Sequence, residues 1–238
     1  MITRLSLLVS LMAAAVLITL MAACGGDDKG APDDPDNLLT NGNFEDGSEG
    51  WSTRDDTATA SSEVVRTGSG SLLVSFAMDA ESPVNGAALA FQELGLEEVP
   101  EFLSFDYRID DWIRGTDLQY VEAVVIVEGS GVGMPQCPAG GDPCPNIQMR
   151  YVLAGVISEP TTIVNARWRF VGEQEPEAGE WLHFEADLRN DMTEAWGSLP
   201  SVVTSVKLQL EVRYEGRVPD ELDGAANVYW DNVYLGAR

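Results

Sequence analysis

The chain has 238 residues and a formal net charge of −25 at pH 7, from 39 acidic against 14 basic residues. Such a charge repels nucleic acid phosphates and anionic lipid headgroups, so neither is expected as a partner. Beyond the N-terminal segments described below, about 200 residues remain, a size that fits one β-rich domain.

An uncharged apolar run occupies residues 5–23 and ends in small residues directly before Cys24. A charged start, an apolar core and a small-residue cleavage point are typical of a secretory signal peptide, here residues 1–23. Residues 20–24 also resemble the bacterial lipobox, which implies that Cys24 is lipidated as the first residue of the mature protein. A plain transmembrane anchor is the alternative, because about 18 or more apolar residues can span a bilayer.

Residues 24–36 are predicted to be a flexible tether, because after Cys24 they are glycine, alanine, proline and charged residues that cannot bury a core. The folded domain is therefore expected at residues 37–238. A lipid at Cys24 would hold this domain at a membrane surface without a spanning helix. The expected location is extracytoplasmic, on a bacterial outer membrane or cell surface.

Cys137 and Cys144 lie seven positions apart in a segment rich in proline and glycine. In an exported chain, two such thiols are expected to form a disulfide that closes the loop. A zinc site is the alternative, but it needs about four ligands and the single histidine, His183, is distant in sequence.

Alternation of apolar and polar residues dominates the rest of the chain and predicts strands with one buried and one solvated face. Among the predicted inward side chains are Leu182, Phe184 and Ala186, and among the outward ones is Glu211. The strand candidates are residues 71–78, 88–94, 102–109, 120–128, 147–155, 163–171, 181–188, 202–214 and 227–235. With turn signals between them, they predict an all-β fold of two packed antiparallel sheets, with a short helix near residues 192–196.

Three stretches carry a family resemblance: NLLTNGNFEDGSEGW at residues 37–51, TGSGSLLVSF at 67–76 and NVYWDNVYLG at 227–236. With a Gly-x-Trp at residues 179–181, they resemble the jelly-roll carbohydrate-binding modules of the family 4, 9 and 22 type, a branch of the galactose-binding-like β-sandwiches. The resemblance implies a jelly roll across residues 37–236 and a function in glycan binding. The cysteine loop has no counterpart in this pattern.

In those families a calcium ion commonly ties the N-terminal segment to the last strand. The resemblance implies Glu45 and Asp231 as its carboxylate ligands, with carbonyls of Asn43 and of the turn that begins at Gly68. Calcium accepts carboxylates and carbonyls together, although Asn43 replaces a carboxylate often found there. The alternative is that Glu45 caps a turn and Asp231 faces solvent. Phe44 is expected to be a core residue, as is Trp51.

Sugar sites combine an aromatic ring, which stacks on the apolar face of a pyranose, with planar side chains that hydrogen-bond hydroxyl groups. The outward positions supply such groups, and the arginines among them suggest an anionic sugar such as a uronate. The candidates are Trp112, Trp181, His183, Trp196, Arg108, Arg150, Arg167, Arg169, Gln209 and Arg213. The alternative is that the arginines form ordinary pairs with acidic side chains on a solvated face.

Catalysis is not expected, because the sequence has no Gly-x-Ser-x-Gly, no His-Glu-x-x-His and no phosphate-binding loop. A glycoside hydrolase or lyase stays a minor alternative, since any two of 39 acidic residues could be paired on paper. The sequence therefore predicts a non-catalytic glycan-binding lipoprotein. The alternative is a structural or protein-binding envelope domain, favoured if Trp112, Trp181 and Trp196 are all buried.

Overall fold

The computed structural model describes residues 34–138, 142–218 and 223–238, which form eleven strands and one helix. The elements are β1 (Ser52–Thr53), β2 (Ala58–Ser61), β3 (Ser71–Met78), β4 (Gly86–Leu94), β5 (Phe102–Ile113), β6 (Gln119–Ser130), β7 (Asn146–Ala154), β8 (Ala166–Phe170), β9 (Trp181–Asp187), α1 (Leu188–Trp196), β10 (Val202–Tyr214) and β11 (Gly224–Gly236). The predicted signal peptide, Cys24 and most of the predicted tether lie outside the described residues. Among those described, no helix combines the length and apolar character needed to cross a membrane.

Two sheets pack face to face as a β-sandwich, which confirms the predicted fold class. The six-stranded sheet has the order β1-β4-β10-β6-β7-β8, and the five-stranded sheet has the order β2-β3-β11-β5-β9. Every pairing is antiparallel except that of β7 with β8, which is parallel. The expectation of purely antiparallel sheets is wrong at this edge, because residues 155–165 return the chain to the end where β7 began.

The core lies between the sheets and is rich in aromatic side chains from the inner faces. Phe105 packs against Phe184 and Trp230, with ring centroids 4.8 Å and 5.2 Å apart respectively. Leu182 was predicted to face this core, but it is 41% exposed. It lies near the start of β9, an edge strand that has a neighbour on one side only.

Residues 37–51 begin the domain, and their polar turns enclose two core rings. Phe44 is 1% exposed, and its ring centroid lies 5.3 Å from that of Trp51, which confirms both as core residues. Asn37 forms an isolated bridge with Gly236, so the start and the end of the domain lie side by side.

The predicted short helix is present as α1, directly after β9, and its acidic side chains Asp191 and Glu194 contact Arg169 of β8. Its N-cap Asp187 accepts a hydrogen bond from the backbone N–H of Asn190 at 3.0 Å, and Gly197 ends the helix in the left-handed conformation. Leu188 and Met192 anchor it in the core. The Cys137–Cys144 disulfide is also present, as predicted.

Candidate ligand-binding face

One row of side chains crosses five adjacent strands on the outer face of the six-stranded sheet. The strand register places Phe91, Gln209, Val124, Arg150 and Trp168 side by side in that order, from β4 to β8. We refer to these five residues as the ligand row. Adjacent strands are about 4.8 Å apart, so the row spans about 19 Å from one aromatic ring to the other.

The ligand row contains both partly exposed and buried side chains. Phe91, Gln209 and Trp168 are partly exposed, while Val124 and Arg150 are buried. The Arg150 guanidinium lies 5.0 Å from the centre of the Trp168 ring. It also donates two hydrogen bonds, of 3.1 Å and 2.9 Å, to Oε1 of the partly exposed Gln148. The face thus presents rings at both ends and planar polar groups between them.

Trp168 was missed in the sequence analysis, although the alternation in β8 contains the signal for it. In the segment ARWRF, Trp168 and Phe170 project to the outer face, whereas Arg167 and Arg169 project to the opposite side. Arg167 and Arg169 were predicted as site residues because of their charge, and the alternation along the strand was not used to decide which face they project from. The period of two along a strand separates the two sets directly.

Beside the row on the same outer face, two glutamates lie directly opposite each other on neighbouring strands. Glu122 on β6 pairs in register with Glu211 on β10, and both side chains are at most 1% exposed. Glu211 was predicted to face solvent, and that prediction is wrong. It projects to the outer face as expected, but neighbouring side chains on this face exclude water from it.

Two arginines offset the charge of the glutamate pair. Arg150 Nη1 lies 2.5 Å from Glu122 Oε1 and 3.6 Å from Glu211 Oε1. Arg213 Nη1 lies 3.7 Å from the same Glu211 oxygen, and its Nε donates to Glu215 at 2.9 Å. Buried ion pairs of this kind are strongly interdependent, because removing one partner leaves an uncompensated charge.

The pKa values in this cluster follow from burial and from neighbouring charges. Burial raises the pKa of Glu122 well above its ordinary value, and the adjacent Glu211 raises it further, whereas Arg150 opposes the shift. Burial also raises the pKa of Tyr120, whose hydroxyl donates to Glu215 at 2.8 Å. Burial alone would lower the pKa of Arg213, but the carboxylates around it, Glu211 first, raise it overall.

The other predicted site residues are scattered over the rest of the molecule. Arg108 and Trp181 face each other in register on the outer face of the five-stranded sheet, where Arg108 donates to both oxygens of Asp110. On the same face, His183 Nδ1 lies 3.1 Å from an oxygen of Asp106. Only Arg150, Gln209 and Arg213 of the predicted set lie on the face of the ligand row.

Trp112, near the end of β5, and Trp196, at the end of α1, are only partly buried, and each has an arginine over its ring, as Trp168 has Arg150. The Arg114 guanidinium lies 5.5 Å from the centre of the Trp112 ring, and that of Arg167 lies 3.9 Å from the centre of the Trp196 ring. Both rings also pack against the edge of the core. One face of each ring therefore contacts the protein itself.

The arginines proposed for an anionic sugar have partners within the protein. Arg169 contacts Glu194 at 2.8 Å and Asp191 at 3.2 Å on α1. Arg167 donates to the carbonyls of Val164 and Ala166. With Arg108, Arg150 and Arg213 paired as described, these contacts match the alternative in which arginines form internal pairs.

Glu45 and Asp231, the predicted calcium ligands, both accept hydrogen bonds from the turn at residues 66–70. Asp231 Oδ2 accepts hydrogen bonds from the backbone N–H groups of Arg66 and Thr67 at 2.9 Å and 3.0 Å. Glu45 accepts from the N–H of Ser69 at 2.8 Å and from its hydroxyl at 2.5 Å. We refer to this arrangement as the turn brace.

Gly68 is required at the tip of the turn brace. Its φ of +66° is in the left-handed region, and a Cβ atom there would lie 2.0 Å from Oε1 of Glu45. Hydrogen bonds from Ser69 lower the pKa of Glu45, whereas burial raises the pKa of Asp231 to about 6.

In the turn brace, backbone N–H groups donate to the carboxylates of Glu45 and Asp231 where a cation would otherwise bind. An ion at the same place would have to replace some of the N–H groups that now face Glu45 and Asp231. Within the described ranges, no group of three or more histidine, cysteine, aspartate or glutamate side chains is arranged to hold a metal ion. Asn43 contributes its side-chain oxygen to the N–H of Glu45 at 3.3 Å. The calcium site therefore stays a prediction.

Comparisons with known proteins give structural likeness only. Neither a family model nor a curated protein matches the sequence. A family 61 carbohydrate-binding module in complex with β-1,4-galactotriose is 14% identical, with a TM-score of 0.40, over 84% of this chain and 97% of that one. A family 16 carbohydrate-binding module is also 14% identical, with a TM-score of 0.43, over 84% of this chain and 99% of that one.

An endo-β-1,4-glucuronan lyase from the fungus Trichoderma reesei is 14% identical, with a TM-score of 0.48, over 80% of this chain and 92% of that one. Scores this low do not support an inference about the ligand, which has to come from the residues of the chain itself.

Proposed function

We propose that this protein is a non-catalytic glycan-binding domain that binds a saccharide chain along the ligand row. The observation that carries the proposal is the register, which places an aromatic ring at each end of a row that also contains the partly exposed amide of Gln209 and the buried guanidinium of Arg150. Rings supply contact area for pyranose faces, and amide groups between them, those of Gln209 and Gln148, can hydrogen-bond hydroxyl groups. A span of about 19 Å between the rings suits an extended oligosaccharide better than a single sugar.

The buried cluster beside the row supports binding by fixing the groups of the row that it contacts. Arg150 is fixed by Glu122 on one side and contacts Trp168 on the other. Gln148 is fixed in turn by its two hydrogen bonds from Arg150. Side chains that are already ordered lose little conformational entropy on binding, which favours affinity.

An uncharged glycan fits this face better than a uronate. The guanidinium groups on and near the ligand row, those of Arg150 and Arg213, are engaged by glutamates. A sugar carboxylate would have to compete with these internal partners and would also meet the net charge of −25. Binding of an anionic glycan in the screen would contradict this preference.

The arrangement of acidic groups favours binding over glycoside hydrolysis. Hydrolases need two carboxyl groups about 5 to 9.5 Å apart on either side of the substrate. Glu122 and Glu211 are directly opposite each other on neighbouring strands, where side chains are about 5 Å apart, and both are buried. They are too far from solvent for those two roles.

We further propose that the domain is held outside the cytoplasm by a lipid on Cys24. The signal-like N-terminus and the Cys137–Cys144 disulfide support this location, because disulfides persist in oxidising compartments. In this arrangement the tether lets the domain reach glycans near the membrane surface.

The test of the glycan proposal is a binding screen of the folded domain against neutral and anionic polysaccharides and oligosaccharides. We expect binding to a neutral glycan, with loss of binding when Trp168 is changed to Ala. Failure to bind any glycan in the screen would favour the alternative, a structural or protein-binding envelope domain.

A further inference from the structure

The contacts of the buried glutamate pair leave one oxygen on each side chain without a hydrogen bond, although Glu211 Oε1 lies 3.6 Å from Arg150 and 3.7 Å from Arg213. Glu122 Oε1 accepts a hydrogen bond from Arg150, and Glu211 Oε2 accepts one from Gln209 at 3.4 Å. The remaining oxygens, Glu122 Oε2 and Glu211 Oε1, are buried and accept no hydrogen bond. A buried carboxylate oxygen without a donor is costly, and two facing carboxylates also repel each other.

A single proton removes both costs. A proton on Glu122 Oε2 can be donated to Glu211 Oε1, so that each unpartnered oxygen becomes the partner of the other. The groups that face the pair are Arg150 from β7, Arg213 from β10 and Tyr120 from β6, with Glu215 beyond Tyr120. Together with the pair, these groups comprise three carboxyl groups, those of Glu122, Glu211 and Glu215, against two guanidinium groups, so one added proton makes the cluster neutral. A metal cation fits poorly where two guanidinium groups already lie.

We propose that Glu122 and Glu211 share one proton at neutral pH and act as positioning residues that hold Arg150 against Trp168 in the ligand row. The proton sharing stands on the geometry of the pair. Its effect on ligand binding rests on the proposed function.

The pair makes stability and binding sensitive to alkaline pH. Because burial and Glu211 raise the pKa of Glu122 in the folded protein, the folded state binds this proton more tightly than the unfolded state. The stabilisation is fully present below the ordinary glutamate pKa and is lost as the pH rises through the raised value. Once both carboxyls are charged, Arg150 is drawn toward two anions, and the contact with Trp168 loosens.

The first test uses Glu122→Gln, whose amide N–H replaces the proposed proton permanently, with Glu211→Gln as a second variant. Melting temperatures are measured between pH 6 and pH 9. Over this range the melting temperature of the wild type should fall, by about 2 to 4 °C for each kcal/mol of stability lost with the proton. The melting temperatures of the variants should change less. Equal slopes in the wild type and in both variants would overturn the proposal.

The second test observes the proton directly and needs no ligand. At pH 7.5 the infrared spectrum of the wild type should contain the carbonyl stretch of a protonated carboxyl group, which Glu122→Gln should lack. Asp231→Asn serves as the matched control, because the pKa of Asp231 is also raised. Absence of the protonated band in wild type, or its persistence in Glu122→Gln, contradicts a shared proton.

The third test links the pair to the ligand row. Affinity for the glycan found in the screen should fall by about tenfold between pH 6 and pH 9 in the wild type and change little in Glu122→Gln. A pH-independent affinity would reject the positioning role while leaving glycan binding intact. If the screen finds no glycan, the proposed function fails, while the melting and infrared tests still decide whether the proton is shared.

Discussion

Arg150 and Trp168 face each other across the only parallel strand pair in the described residues, with the guanidinium 5.0 Å from the ring centre. The same guanidinium contacts the buried Glu122 beside the ligand row on this face. Arg150 therefore connects the buried charges to the partly exposed ring, and a change at either end is expected to affect the other.

Trp168→Ala should abolish or greatly weaken glycan binding while the fold is retained. The ring is one end of the ligand row, and an interaction with an aromatic side chain of this kind is worth about 1 kcal/mol or more beyond its buried area. We expect a loss of affinity of at least tenfold in isothermal titration calorimetry. Trp181→Ala, on the outer face of the other sheet, is the matched control and should bind like the wild type. Equal losses in both variants would contradict the assignment of the face.

Arg150→Ala should strongly destabilise the domain. Removing the guanidinium leaves Glu122 and Glu211 buried without their main counter-charge, which costs about 3 to 5 kcal/mol. Urea unfolding monitored by circular dichroism gives the free energy of unfolding. Arg108→Ala removes the more exposed pair with Asp110 and should cost about 1 kcal/mol or less. A similar small cost for both variants would mean that the buried cluster is not coupled as its contacts indicate.

Asp231 should contribute stability that is lost as the pH rises from about 4 to 7. Burial raises its folded-state pKa to about 6 from an ordinary value of 3.8. A group with a raised pKa stabilises the fold below its unfolded pKa, and that stabilisation is lost as the pH rises through the folded value. The shift corresponds to about 3 kcal/mol. Asp231→Asn should flatten this part of the profile of unfolding free energy against pH, and an unchanged slope would refute the shift.

Glu45→Gln should lower the melting temperature even in excess chelator, because the turn brace is made of hydrogen bonds within the protein. Glu49→Gln, in the same segment and also exposed, is the control and should melt like the wild type.

The same measurement tests the calcium prediction. If calcium binds, the wild type should melt several degrees higher in calcium than in chelator, and Glu45→Gln should lose that difference. Identical wild-type curves in the two conditions would reject the calcium site.

Cys24→Ser should release the protein from membranes. The prediction follows from the lipobox-like sequence, and Cys24 lies outside the residues that the structure describes. Membrane fractionation and metabolic labelling with a fatty acid measure the anchor directly. We expect the wild type in the labelled membrane fraction and the variant without label. A variant that still carries label, or a wild type without it, would argue against a lipid on this residue.

The sequence by itself determined the fold class and most of the strands. Strands β3 and β10 have the predicted bounds, because a strict period of two identifies a half-buried strand without any knowledge of its neighbours. Phe44 and Trp51 were also predicted correctly as core residues, because large aromatic side chains in a polar turn have few other roles. The disulfide followed from spacing and compartment.

Only the tertiary structure decided which outward residues form a site. Alternation indicates that Glu211 leaves the core, but it cannot show that Glu122 lies opposite it on a strand about ninety positions away in sequence. The parallel return of β8, which brings Trp168 beside Arg150, is equally invisible in a local pattern. The ligand row is a property of strand order and register, which are set by the packing of the whole chain, whereas the strands themselves are set by their own residues.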